Sequence, residues 1–166
     1  MKIYIDMVLL LNFGFDLLLL FSVGVILRRQ TNLKKILTGS AIGAITIFCM
    51  FIKVSSLLLF IIKVVISIIM VIVTFGYKDI KYTLKNMFYL YTSSIILGGF
   101  LYFLNVQFSY KHTGLVFYYE GLSINFIVMI ITSPLIIFAY IKQGLELKNN
   151  YSNYYNIDIY LKSGKV

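Results

Sequence analysis

The run from Ile3 to Leu27 constrains this chain more than any other feature. Its 25 positions hold two charges, Asp6 and Asp16, and one amide, Asn12, before the sequence breaks at Arg28-Arg29. The hydrocarbon core of a bilayer needs roughly 20 helical residues, so a run this long and apolar is expected to cross a membrane. A carboxylate near the middle of such a span costs about 2.5 kcal/mol or more, so Asp16 demands a partner or a purpose. A cleaved signal peptide is a poor alternative. The run is about twice the length of a signal h-region, has no small-x-small cleavage site, and carries its positive cluster behind it.

Composition supports the same class. The chain is 60% hydrophobic and 13% charged, with a mean hydropathy of +0.91, which excludes disorder and an ordinary soluble domain. The net charge of +9 sits in clusters between apolar runs. That is the distribution of charged loops on a membrane protein; the expected partner is a lipid bilayer and not nucleic acid. Cys49 is the sole cysteine and His112 the sole histidine. No disulfide, Cys–His pair or metal cluster can be built from them, and neither a metal nor a cofactor is expected.

Five apolar spans are predicted, at about 3–27, 36–52, 56–76, 87–105 and 122–141, giving an all-α membrane bundle over residues 1–145. Nine Lys/Arg near the ends of spans one, three and five (Arg28, Arg29, Lys34, Lys35, Lys78, Lys81, Lys85, Lys142 and Lys148) stand against three (Lys2, Lys53, Lys111) on the other side. By the positive-inside rule the N-terminus is outside and the C-terminus cytoplasmic. The many Tyr and Phe at span ends read as interfacial belts. The longest outside loop, Val106–Gly121, is where external contacts are expected to fall. Residues 146–156 read as an Asn/Ser/Tyr-rich linker. Residues 157–166 alternate and then turn at Lys162-Ser163-Gly164-Lys165, which reads as the first hairpin of a β-rich soluble domain that should follow.

Six residues stand out inside the spans: Asp6, Asn12, Asp16, Lys63, Gly39 and Gly43. Asn12 and Asp16, four apart, share a helix face. Asp6 lies only about 5 Å into the span and Asp16 about 20 Å. Lys63, roughly 10 Å deep on span three, is the natural counter-charge. An ion pair fixing helix packing is the preferred reading; a signal-transmitting or proton-linked element is the alternative. An intramembrane aspartyl protease would put its two acids on facing helices, whereas Asp6 and Asp16 share one. Gly39-Ser40-Ala41-Ile42-Gly43 is a GxxxG element suited to close helix contact, either between two copies or within the bundle. Gly98-Gly99 reads similarly.

The stretches Met1–Asp6, Leu11-Asn12-Phe13-Gly14-Phe15-Asp16 and Ile26-Leu27-Arg28-Arg29 resemble the start of the sporulation sigma-E factor-processing peptidase family, SpoIIGA. The likeness continues at Lys63, Val71–Lys78, Asn86-Met87-Phe88 and Gly98-Gly99. The resemblance implies a five-span membrane domain joined to a cytoplasmic, retroviral-type aspartic endopeptidase domain acting as a homodimer. It further implies pro-sigma-E as substrate, a secreted forespore signal protein as outer partner, and the mother-cell membrane at the sporulation septum as location. The family's catalytic Asp-Ser/Thr-Gly motif does not occur here. Asp158 is followed by Ile159 and Asp79 by Ile80. No catalytic residue is carried over, and the chain alone is expected to be inert. It would be the signal-receiving and anchoring part. The competing reading is a small transporter subunit with a midplane polar site at Asp16 and Lys63, its fifth span broken by Pro134.

Overall fold

A computed structural model describes residues 5–51, 55–108, 111–113, 116–119, 122–151, 160–161 and 164–165. Five helical stretches dominate: α1 (Ile5–Ile26), α2 (Leu33–Ala44) continued by a 3-10 helix (Ile45–Phe51), α3 (Ser56–Phe75), α4 (Ile80–Phe108) and α5 (Ile124–Tyr151). Among them α1, α3, α4 and α5 are each long and apolar enough to cross a membrane.

The second span solves a length problem. Its 12 α-helical residues rise about 18 Å, which falls short of a bilayer core of about 30 Å. The 7 residues of 3-10 helix that follow rise about 2 Å each and add roughly 14 Å. Thr46 Oγ1 donates to Gly43 O at 2.8 Å where the helix tightens. The connection expected around Lys53 lies outside the described residues.

Two helices outrun their predicted spans. α4 starts at Ile80 instead of 87 because Asp79 caps it: its carboxylate accepts from the Tyr82 N–H, and its carbonyl accepts from Thr83 N at 3.1 Å. Lys81 and Lys85 end the apolar stretch without ending the helix. Just before, α3 stops at Gly76, whose φ of 76° and ψ of 163° are open only to glycine. α5 runs on from 141 to Tyr151, and Pro134 does not break it. Proline removes the N–H that would bond Ile130 O; Ser133 Oγ donates to that carbonyl instead, at 3.3 Å.

The centre of the bundle is α1, which packs against α2, α4 and α5, while α3 packs on α2 and α4. Apolar on every side apart from Asp6, Asn12 and Asp16, α1 can serve as a hub. Its second half enters the main core, where Leu20, Phe21 and Val23 meet Ile36, Met70, Val71, Met87, Leu90 and Tyr140. Phe21 and Tyr140 stack edge to face at 5.0 Å.

Between α4 and α5, β1 (Lys111–Thr113), β2 (Val116–Tyr119) and β3 (Leu122–Ser123) form an antiparallel sheet in that order. The sequence predicts a loop over Val106–Gly121; the structure forms a small sheet within and just beyond it. Near the C-terminus β4 (Tyr160–Leu161) pairs with β5 (Gly164–Lys165). The pairing joins Tyr160 to Lys165 and Leu161 to Gly164.

Candidate functional site

Of the six singled-out residues, Asp16, Gly39 and Gly43 come together. A methyl group built on Gly43 would strike the Asp16 carboxylate and Met70 Sδ; one on Gly39 would strike Thr74 Oγ1. The GxxxG element is therefore the seam on which α2 meets α1 and α3 inside one chain. Both glycines are buried there, with Ser40 and Ala44 beside them. Gly98 and Gly99, by contrast, have nothing within 4 Å, so they form no comparable seam within the chain.

The expected ion pair does not form among the described residues. Lys63 lies on the exposed face of α3, while Asp16 points at Gly43. Both spans run the same way, but α2 stands between the face of α1 that carries Asp16 and the bulk of α3. Asn12 is satisfied on its own helix, donating to Val8 O at 3.2 Å. Asp6 is exposed in the first turn of α1, where a negative charge is favourable to the helix dipole. Among the described residues, Lys63 and Asp16 are not brought together as the transporter reading expects.

A second constellation escaped sequence reasoning. The turn that leaves α1 is closed by two bonds, Arg29 N to Gly24 O at 2.8 Å and Arg28 N to Val25 O at 3.2 Å. This is a Schellman cap, with Arg28 in the left-handed position (φ 51°) that glycine usually fills. The cap turns residues 29–31 onto the ends of three other helices. Arg29 donates to the buried Asn86 Oδ1 and lies 3.6 Å over the Tyr82 ring, both on α4. Thr31 Oγ1 donates to Thr74 O on α3 at 2.7 Å. Thr31 N donates to Tyr140 Oη on α5 at 2.8 Å, and that hydroxyl donates back to Thr31 O at 3.0 Å. Gln30 Nε2 reaches Tyr140 O at 3.3 Å, and Gln143 Nε2 reaches Val25 O at 2.8 Å. Gly24 leaves the room that the Tyr140 ring occupies. Asn32 then caps α2, accepting from Lys34 N at 3.2 Å.

One six-residue turn thus ties α1 to α2, α3, α4 and α5. In the sequence its Arg28 and Arg29 count only toward the charge asymmetry that sets topology. The usable clue was the set of polar residues just inside the apolar ends: Thr74, Asn86, Tyr140 and Gln143. Chemically the turn offers no nucleophile or acid–base pair, and no group of metal ligands occurs among the described residues. What it can do is mechanical: a shift or rotation of α1 must move the turn, and the turn holds α5.

Comparison with known proteins agrees with the likeness seen in the sequence. The family model described as Peptidase_U4, sporulation factor SpoIIGA, matches residues 2–166. A sporulation sigma-E factor-processing peptidase of Priestia megaterium is 35% identical over 117 residues, covering 70% of this chain and 38% of that relative. Its counterpart in Bacillus subtilis is 36% identical over 100 residues, covering 60% of this chain and 32% of the relative. The matched stretch therefore spans only about a third of these relatives' own length. No solved structure matches the chain.

Proposed function

The chain belongs to the sporulation factor SpoIIGA family, and from that membership we propose that it is the membrane-embedded, signal-receiving and anchoring part of an aspartic endopeptidase that processes pro-sigma-E. The family match over residues 2–166 is the observation that carries this reading. In this reading the N-terminus is outside and the basic end of the bundle faces the cytoplasm, as the nine-to-three distribution of Lys/Arg favours. The location is the mother-cell membrane at the sporulation septum, and the working form is a homodimer. In this reading catalysis belongs to the family's soluble aspartic endopeptidase domain and not to the bundle.

A signal protein secreted by the forespore acts on the outer side, at the segment between α4 and α5. The movement passes along α1, whose Asp16 bears on Gly43 of α2, to the turn at 27–32, and from Thr31 to Tyr140 of α5. α5 continues past the apolar span to Tyr151 and so leads toward the soluble part. Asp6, Asn12 and Lys63 act in this reading as polar positions that set helix packing or depth.

The test is Asp16→Leu in the full-length protein. It should leave membrane insertion intact and abolish pro-sigma-E processing. Normal processing by that variant would sink the proposal.

A further inference from the structure

Two cations share one aromatic ring at the basic end. Arg29 Cζ lies 3.6 Å and Lys78 Nζ 5.3 Å from the centroid of Tyr82. Like charges gathered on one ring repel, and in the partly dry surroundings of a membrane interface water screens that repulsion only weakly. Asp79, which follows Lys78 in the sequence, is engaged in capping α4 through the Tyr82 N–H. No ion pair to Arg29 or Lys78 is formed among the described residues. Next to Tyr82 sits Asn86, fully buried, with its Nδ2 lacking any acceptor.

An apolar groove of about 310 Å³ opens between α1 and α4 on the same face. Leu18, Ser22 and Ile26 line it from α1, Ser93 and Leu97 from α4, and Ile136 from α5. Tyr82, Asn86, Leu90, Ser93 and Leu97 follow one another at helical spacings of four, four, three and four along α4. Asn86 and Leu90 are buried, and the groove is lined by the α4 residues that follow them. Ser22 spends its hydroxyl on Leu18 O at 2.8 Å, so the groove presents hydrocarbon. Its near end, Ile26, is three residues from Arg29.

We propose that this face holds one anionic glycerophospholipid of the adjacent leaflet, its phosphate between Arg29 and Lys78 and an acyl chain along the groove. Charge complementarity selects the headgroup: basic pockets between spanning helices, next to an apolar cleft, suit an acidic lipid. The proposal requires the helices to lie in a bilayer and does not depend on the protease reading. Its test measures no processing, so either can fail alone.

The experiment reconstitutes the chain into nanodiscs of phosphatidylcholine with a minority of phosphatidylglycerol, extracts it, and counts retained lipid by native mass spectrometry. One phosphatidylglycerol per chain is expected, in preference to phosphatidylcholine. Lys78→Gln should lower its retention about fivefold, as removal of one interfacial cation does. Ser93→Phe, which fills the groove and leaves every charge in place, should lower it too. Lys34→Gln/Lys35→Gln, which removes two exposed charges away from Tyr82, should not. Unfolding temperatures in phosphatidylcholine alone confirm that each variant is folded. Equal retention of both lipids, equal loss in the Lys34/Lys35 variant, no effect of Lys78→Gln and Ser93→Phe, or displacement by inorganic phosphate would each overturn the proposal.

Discussion

The two ends of this bundle are built differently. At the basic end the helices are locked: the core around Leu20, Val23, Val71, Leu90 and Tyr140 is closed, and a single turn bonds to three other helices. At the opposite end, among the described residues, fewer such ties are formed. Leu11 is buried, a half-buried Gly14 faces Met129, and Asn105 Nδ2 donates to Asn125 Oδ1 at 3.2 Å. A membrane helix gains little from burying apolar surface, since lipid is as apolar as leucine; close packing and hydrogen bonds decide which regions are firm. In the proposed function, an external contact at the end with fewer ties would shift α1 as a body, and the locked end would deliver the shift to α5.

That contrast can be broken first at the turn. Arg29→Ala leaves Asn86 Oδ1 buried without a donor and removes the cation over Tyr82. A loss of about 3 kcal/mol is expected in a reversible unfolding titration in mixed micelles. Gly43→Ala comes next, at about 2 kcal/mol, because its new methyl group meets Asp16 and Met70. Asp16→Ala should recover much of that loss in the double variant. Additive effects would show that the two residues do not touch.

Arg28→Gly has the opposite sign. It relieves a left-handed backbone at φ 51° and should raise stability by about 1 kcal/mol, read as a higher unfolding temperature. At the end with fewer ties Asn105→Leu should cost only about 0.6 kcal/mol, the usual worth of a hydrogen bond between membrane helices. A cost there as large as that of Arg29→Ala would erase the difference between the two ends. The smallest effect belongs to Gly98→Ala, within about 0.5 kcal/mol, since nothing lies within 4 Å of the added carbon.

The spans were legible because apolar length is a local property. The first and third came out within one or two residues of prediction over their described parts, at Ile5–Ile26 and Ser56–Phe75. Boundaries failed where a cap outweighed polarity: Asp79 launches α4 seven residues before its apolar stretch. Gly39 and Gly43 announced a close contact, and only packing could tell that it lies within the chain. Lys63 misled because charge and depth suggested a partner for Asp16, while α2 takes that place. The turn at 27–32 was illegible for a plainer reason. Thr31 bonds to a tyrosine 109 positions away and Arg29 to an asparagine 57 away. No periodicity within a window records a pairing at that range.

The central claim is that the turn carries movement from α1 to α5 through Tyr140, and Tyr140→Phe in the full-length protein tests it most directly. The substitution keeps the ring against Phe21 and removes both hydrogen bonds to Thr31. With the amount in the membrane unchanged, pro-sigma-E processing should fall to the level seen without the activating signal. Processing at the wild-type rate would contradict the claim.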